Sequence, residues 1–372
     1  IPKRDWSSDV CSSDLLGIPS INACPMARAE ACCTWTDPNN NLWLFGGARS
    51  DTLTGNTASL NDLWKYNIAT NEWTWVSGSS GYNAPAVYGT MGVPSANNVP
   101  NARAVYSRWV DNNGNLWFYG GGDFGLAKAF SDMWRYDVSS NMWTWIMGAT
   151  GFNNGGSYGT QCDTIIFTNR PSSHYENAAC WTDACGRFWM YGGRALSGNN
   201  GGDIGDLWYY DVSDNRWVLA FGGFNLNNII NYGTLGVPSP TNNPGARFGV
   251  ASFYNNNNLY LFGGAGPGNF QLKNNDLWKY VINPNCAPPC PNSNALPVAA
   301  FNCTDSVFCE KQCIDFNDLS VNNPVSWNWT FTGGSPSSST LQNPTGICYN
   351  SYGTFDVQLI ACNANEIGRA HV

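Results

Sequence analysis

The segment NLWLFGG at residues 41–47 is followed by NDLWKYN at residues 61–67, and this pair of segments occurs four times along the chain. The later double-glycine segments are NLWFYGG (115–121), RFWMYGG (187–193) and NLYLFGG (258–264), and their partners are SDMWRYD (131–137), GDLWYYD (205–211) and NDLWKYV (275–281). The second glycines, Gly47, Gly121, Gly193 and Gly264, are 74, 72 and 71 residues apart. Self-similarity at a long, fixed period predicts a set of equivalent stacked or radial units.

Each repeat contains four short segments with the alternation typical of strands. In the second repeat these are VYSRWV (105–110), LWFYG (116–120), MWRYDV (133–138) and MWTWIM (142–147). The turn sequence DNNG at 111–114 favours a hairpin between the first two. The sequence therefore predicts one antiparallel four-stranded sheet per repeat. The fourth repeat ends after 275–281 with no further Asn-x-Trp strand, so its sheet is predicted to lack the outer strand.

The hydrophobic strand, the double glycine and the spaced Tyr and Trp resemble the Kelch repeat, over residues 17–283. This resemblance implies a β-propeller, whose full form would have six or seven blades. We expect a strand upstream of residue 16 to complete the last blade. Unlike a compact Kelch repeat, this chain has long inserts, YGTMGVPSANNVPNAR (88–103), YGTLGVPSPTNNPGAR (232–247) and a variant beginning YGTQCD (158–163). Loops of this length serve as binding surface or pack on neighbouring blades.

Residues 284–297 form a linker rich in Pro, Asn and Cys, and the pattern then changes. The segments QCIDFNDLS (312–320), WNWTFTGG (327–334) and YGTFDVQLIACN (352–363) resemble a PKD domain, which implies an Ig-like β-sandwich at residues 298–365. The predicted fold class is all-β, a Kelch-type propeller followed by this sandwich. The ends, 1–16 and 366–372, resemble translated sequencing adapter, so we expect both to be non-native tails outside the core.

The amino-acid composition limits the kinds of molecule that this protein can bind and the compartment in which it works. Only 12% of the residues are charged and the net charge is −8, which argues against nucleic acid because phosphate binding needs clustered Lys and Arg. No apolar run reaches the length of a membrane span. Fourteen cysteines beside two histidines indicate disulfides and export. Cys180 with Cys185, and Cys286 with Cys290, are the candidate local pairs, although sequence cannot fix connectivity.

Few residues are candidates for chemistry. Arg28, Arg103 and Arg247 recur before the first strand, and His174 occupies the same repeat position in the third unit. They could bind an acidic ligand, but pairing with the recurring turn acids Asp62, Asp132, Asp206 and Asp276 is the favoured alternative. Aromatic residues of the inserts could stack on sugar rings, among them Tyr82, Tyr88, Phe152, Tyr158, Phe224 and Tyr232. We predict no catalytic residue, metal or cofactor. Copper oxidases built on Kelch propellers require two histidines, and His174 is the only histidine of this sequence outside the expected tails.

The predicted function is a non-catalytic binding or adhesion module of a secreted or cell-surface multidomain protein. Its partner would be a protein or glycan recognised through the inter-blade loops. The alternative is a glycan-active enzyme, such as an acidic-sugar epimerase, on the same scaffold. Asn-rich Kelch inserts beside a PKD-like domain resemble surface proteins of the Bacteroidota, which implies association with the outer membrane.

Overall fold

The computed structural model describes residues 15–28, 33–50, 57–105, 107–123, 128–176, 178–268, 271–284, 286–287, 299–305, 307–320, 324, 326–362 and 367–371. The N-terminal tail up to residue 14 and Cys290 therefore lie outside the described residues. The chain divides into two compact units, a repeat region at Ile1–Pro288 and a C-terminal domain at Pro289–Val372. Every regular element in the described ranges is a β-strand. No helix long and apolar enough to cross a membrane occurs among these residues.

The first two repeats each form a four-stranded antiparallel sheet, here called sheet 1 and sheet 2. Sheet 1 has the order β1-β2-β3-β4 and sheet 2 the order β5-β6-β9-β10, while β7 and β8 pair beside sheet 2. The strands are β1 (Cys33–Thr36), β2 (Leu42–Ser50), β3 (Thr57–Asn67), β4 (Glu72–Ser77), β5 (Ser107–Val110), β6 (Leu116–Tyr119), β7 (Gly122–Asp123), β8 (Lys128–Ala129), β9 (Met133–Asp137) and β10 (Met142–Met147).

The third repeat forms a complete sheet 3, with the order β12-β13-β16-β17, whereas the described residues of the fourth repeat form a three-stranded sheet 4, β18-β19-β20. A smaller sheet, β11-β14-β15, lies beside sheet 3. The strands are β11 (Ser173–Tyr175), β12 (Ala179–Thr182), β13 (Phe188–Tyr191), β14 (Arg194–Ser197), β15 (Asn200–Asp203), β16 (Leu207–Asp211), β17 (Arg216–Phe221), β18 (Ala251–Asn255), β19 (Asn258–Phe262) and β20 (Leu277–Val281). Four antiparallel sheets, with the last lacking its outer strand, were predicted and are confirmed.

The four sheets pack in chain order, and each contact between neighbours is a separate aromatic core. One core joins sheets 1 and 2, a second joins sheets 2 and 3, and a third joins sheets 3 and 4. The recurring tryptophan of the third strand occupies the same register position in all four sheets. Trp64, Trp134 and Trp208 are buried, while Trp278 of sheet 4 is only partly buried. No sheet closes on itself within the described part of the repeat region.

Main-chain hydrogen bonds join the double glycine of each sheet to the segment just before the first strand of the next sheet. Gly46 and Gly47 have φ of +62° and +106°, a region that side chains rarely adopt. A Cβ on Gly46 would collide with the carbonyl oxygen of Arg103, and Gly47 N–H donates to that oxygen at 2.9 Å. The equivalent bonds run from Gly121 N–H to the His174 carbonyl at 2.7 Å and from Gly193 N–H to the Arg247 carbonyl at 2.8 Å. The glycines are therefore required because two backbones touch at this point.

The place of the missing outer strand of sheet 4 is partly filled by the chain that follows β20. Ile282, Cys286 and Ala287 are buried in the core between sheets 3 and 4, where the outer strand of a complete sheet contributes Trp217 and Leu219. A disulfide from Cys286 to Cys162, in the variant insert before sheet 3, fixes this segment.

Both predicted local disulfides are wrong in their pairing. Cys180 is a free thiol, because the β12–β13 register places it opposite Met190, whereas Cys185 lies in the turn and belongs to another disulfide. Cys286 bonds to Cys162 rather than Cys290, since the chain directly after β20 lies against the variant insert before sheet 3. Cys162 and Cys286 are 124 residues apart in the sequence, so the spacing between neighbouring cysteines could not predict their pairing.

The C-terminal domain is a second all-β unit with its own core. Trp329, Phe331, Phe316 and Leu359 are buried at its centre, and a disulfide joins Cys313 to Cys348. Ile367–His371, expected to be a tail, forms a main-chain ladder with Val357–Cys362 at the sheet edge, where a free edge accepts almost any backbone. The strands are β21 (Phe301–Cys303), β22 (Gln312–Ile314), β23 (Phe316–Asp318), β24 (Ser326–Phe331), β25 (Gly334–Ser335), β26 (Ser338–Ser339), β27 (Ile347–Tyr349), β28 (Val357–Cys362) and β29 (Ile367–His371).

Candidate functional site

The recurring Asp before the third strand of each sheet is the centre of a repeated cluster, here called the acid cluster. In sheet 2, Asp132 accepts two hydrogen bonds from the Arg103 guanidinium, one of them at 2.9 Å. The same carboxylate accepts the Trp134 indole N–H at 2.8 Å and the Tyr88 hydroxyl at 2.9 Å. Arg103 also donates to the carbonyl of Gly120, at the double glycine. The cluster therefore fixes the insert, the glycine turn and the third strand to one carboxylate.

The same arrangement occurs in the other three sheets with small changes. In sheet 1, Arg28 forms a bidentate pair with Asp62, both bonds at 2.7 Å. In sheet 4, Arg247 bonds to Asp276 at 2.7 and 3.1 Å. The tyrosine rings of the inserts pack on the cluster tryptophans, with centroid distances of 5.2 Å for Tyr88–Trp134, 5.1 Å for Tyr158–Trp208 and 5.5 Å for Tyr232–Trp278.

Sheet 3 has histidine in place of arginine. His174 Nε2 lies 3.4 Å from Asp206 Oδ1, and His174 Nδ1 lies 2.7 Å from the carbonyl oxygen of Ser172. Both neighbours are acceptors, so both ring nitrogens act as donors only when the imidazole is protonated. Burial disfavours that charge, but the Asp206 carboxylate outweighs burial and raises the pKa of His174 above its ordinary value.

Most polar atoms of the acid clusters bond to one another, although the buried Nε of Arg247 has no hydrogen-bond partner. Arg103 and Arg247 are fully buried, and His174 is 2% exposed. Burial and the Asp206 carboxylate raise the pKa of the Tyr158 hydroxyl well above its usual range, so it acts as a donor at neutral pH. Seven of the ten residues proposed from sequence as ligand contacts lie in these clusters, namely Arg28, Arg103, Arg247, His174, Tyr88, Tyr158 and Tyr232. Their contacts match the alternative of pairing with the turn acids.

The inserts bind to the outer strand of the following sheet. Ser20 N–H donates to the Trp73 carbonyl at 3.0 Å, and Gly92 N–H to the Trp145 carbonyl at 2.8 Å. Cys162 N–H makes the matching bond to Leu219 O at 2.8 Å. Among the described residues, no outer strand of sheet 4 lies beside the insert that precedes this sheet, and Leu235 of the insert is fully exposed. The inserts therefore extend the sheet edges, as the packing alternative predicted.

A cavity of about 260 Å³ lies between the insert after sheet 1 and the β7–β8 hairpin. Polar side chains line it, Asn83, Asn101, Asp123 and Lys128, together with the ring of Phe152. Phe152 is 53% exposed, and the Lys128 ammonium lies 4.7 Å from its ring centroid. Asp123 accepts a hydrogen bond from the Ser59 hydroxyl at 3.1 Å. An exposed ring beside amide, carboxylate and ammonium groups suits a ligand with many hydroxyls.

The sequence identified only Phe152 among these cavity residues. One sequence signal for the cavity was the repeated Gly-aromatic-Asn motif, which occurs as Gly81-Tyr82-Asn83 and Gly151-Phe152-Asn153. Asn83 and Asn153 both have positive φ, 53° and 57°, and each side chain accepts a backbone N–H of the preceding repeat, Ser59 and Ala129 respectively. Within the described ranges, no group of three or more His, Cys, Asp or Glu side chains is arranged to hold a metal.

Residues 301–370 match the family model of the PKD domain, which confirms the predicted identity of the C-terminal domain. No curated protein aligns significantly with this sequence. Among solved structures, that of YjhT is similar at 14% identity and a TM-score of 0.41, covering 91% of this chain and 82% of that chain. A fungal alcohol oxidase of the AA5 family, in complex with copper, is similar at 11% identity and a TM-score of 0.34, covering 91% and 75%.

PKD domains are extracellular modules, and the disulfides of both units are consistent with an extracellular or cell-surface protein. Membership of this domain family describes residues 301–370 and supplies no ligand for the repeat region.

Proposed function

We propose that this chain is a non-catalytic glycan-binding module of a cell-surface protein, with the repeat region as blades of a Kelch-type β-propeller and the PKD domain as its scaffold. The observation that most directly supports this proposal is the cavity at Phe152, where an exposed aromatic ring lies beside several polar side chains. The repeated double glycines and acid clusters support the propeller assignment. The Asn-rich inserts support a source in the Bacteroidota and attachment at the outer membrane.

The cavity chemistry favours a sugar over an extended peptide. A pyranose has an apolar face that stacks on an aromatic ring, and a rim of hydroxyls that both donate and accept. Asp123 carries acceptor oxygens, Lys128 offers donors, and the Asn83 and Asn101 amides offer N–H donors, since their oxygens already accept hydrogen bonds within the protein. No main-chain edge of a sheet is needed for such a ligand, whereas peptide capture by strand addition depends on one.

The test is a glycan array probed with the full chain, followed by titration of the best glycan against two variants. Phe152→Ala should weaken binding by about two- to tenfold, because an aromatic stack is worth about 0.5–1.5 kcal/mol. Phe167→Ala is the matched control, since Phe167 is also an exposed phenylalanine, 64%, but does not line the cavity. Equal loss in both variants, or binding of protein but no glycan, would contradict the proposal.

A glycan-active enzyme on the same scaffold makes a different prediction. Glycans that bind the array would be converted during incubation, and mass spectrometry or NMR would detect cleaved or epimerised product. A binding module returns the glycan unchanged at every enzyme-to-glycan ratio. Turnover that Asp123→Asn abolishes would replace the binding proposal with an enzymatic one.

A further inference from the structure

Each sheet of the repeat region has two faces that differ in composition. We call the face that meets the following sheet the trailing face, and the face that meets the preceding sheet the leading face. In sheet 2 the trailing face carries Trp109, Trp117, Tyr119 and Met133, which pack on sheet 3 and are at most 3% exposed. Its leading face carries Leu116, Phe118 and Tyr136, which pack on sheet 1 and are fully buried.

The trailing face of sheet 4 presents the same pattern without a cover. In sheet 2 the strand registers pair Trp109 with Trp117 and Tyr119 with Met133. At the matching positions of sheet 4 they pair Phe253 with Tyr260 and Phe262 with Leu277. Phe253 and Phe262 are each 48% exposed and Leu277 is 60% exposed. The rings of Phe253 and Tyr260 stack at 4.7 Å, so the surface is flat and preformed. A contiguous apolar surface of this kind marks an interaction site.

The leading face of sheet 1 is its counterpart. Leu42, Leu44 and Tyr66 occupy the register positions of Leu116, Phe118 and Tyr136. Leu42 is 40% exposed, and Leu44 and Tyr66 are half-buried. In the described repeat region, a trailing face meets a leading face three times, and these two faces are left without that partner.

We propose that the trailing face of sheet 4 binds the leading face of sheet 1 of a second copy of this chain, head to tail. The occupant is identified by continuity, since the second copy would repeat the packing that already joins sheets 1 to 2, 2 to 3 and 3 to 4. Two trailing faces do not complement each other in this way, because every observed contact pairs unlike faces. The contact is therefore heterologous, and it produces a ring or a chain according to whether the rotation closes. The association does not depend on the Phe152 cavity.

Light scattering coupled to size exclusion, with sedimentation equilibrium over a wide concentration range, tests the proposal on the full chain. Wild type should form dimers or larger assemblies as concentration rises. Leu277→Glu and Leu42→Glu should each shift the midpoint of association at least tenfold toward higher concentration. Both side chains are already exposed, so the melting temperature of the isolated chain at low concentration should stay unchanged. Leu235→Glu is the matched control, because this fully exposed leucine lies outside both faces.

Mixing the two variants distinguishes head-to-tail packing from other arrangements. A Leu277→Glu copy retains its leading face and a Leu42→Glu copy retains its trailing face, so the mixture should restore a heterodimer that neither variant forms alone. Wild type that remains a monomer at all concentrations would overturn the proposal. Full association of Leu42→Glu alone would overturn it too, since that result requires two trailing faces to meet.

Discussion

Sheets 2 and 4 have nearly the same sequence pattern and the same strand register, yet their side chains lie in different surroundings. Tyr119 of sheet 2 is 1% exposed, whereas the matching Phe262 of sheet 4 is 48% exposed. Met133 is fully buried, whereas the matching Leu277 is 60% exposed. Sheet 2 has neighbours on both faces and four strands, while sheet 4 has a neighbour on one face and three strands.

The difference between sheets 2 and 4 distinguishes strand pairing, which the repeat sequence specifies, from burial, which the neighbouring sheets supply. The local pattern of hydrophobic strand, double glycine and Asp-x-Trp is enough to specify strand pairing, because sheet 4 pairs correctly without its outer strand. Burial is supplied by the neighbouring sheets, as in other repeat proteins whose stability depends on interfaces between units. The free energy of local unfolding should therefore be lower for sheet 4 than for sheet 2.

The largest effect expected from this comparison concerns the cluster tryptophans. Trp134→Ala should lower the free energy of unfolding by about 3–5 kcal/mol, since the side chain is fully buried against Trp143 and Tyr88. Trp278→Ala should cost roughly half of that, because Trp278 is partly exposed and lacks an outer-strand tryptophan. Urea unfolding followed by near-UV circular dichroism measures both. Equal losses would show that the position, rather than its neighbours, sets stability.

The next effect concerns the disulfide that holds the linker against sheets 3 and 4. Cys286→Ser should destabilise the repeat region by about 2–4 kcal/mol, because it releases a long loop and frees Ile282 and Ala287. Hydrogen exchange should rise first in β19 and β20. Cys180→Ser is the control, since Cys180 is a free thiol and its loss opens no loop. Uniform exchange across all four sheets in Cys286→Ser would contradict a local role.

Sequence was sufficient where the determinants are local and repeated. The pairing of Arg28 with Asp62 and of Arg103 with Asp132 could be anticipated, because the acid recurs before the third strand of all four repeats and an arginine precedes the first strand in three of them. The Cys162–Cys286 bond could not, since it depends on how the chain folds back after β20. The cavity was missed for the same reason, because Asn83, Asp123 and Lys128 come from separate segments that only packing brings together.

The smallest effect distinguishes sheet 3 from sheet 2 and depends on pH. Arg103 remains charged at every accessible pH, whereas His174 loses its proton when the pH rises through its raised pKa. Because the folded-state pKa lies above the ordinary value near 6.5, protonated His174 stabilises the fold fully below that pH, and this contribution is lost above the folded-state pKa.

The melting temperature of the wild type should therefore fall as the pH increases above about 6.5, and His174→Arg should flatten that fall by keeping a cation beside Asp206. Thermal unfolding at closely spaced pH values measures the difference. His371→Gln controls for the other histidine and should leave the profile of the wild type unchanged. An unchanged pH profile in His174→Arg would mean that His174 is neutral in the folded protein, and the difference between the clusters of sheets 2 and 3 would then be one of size rather than charge.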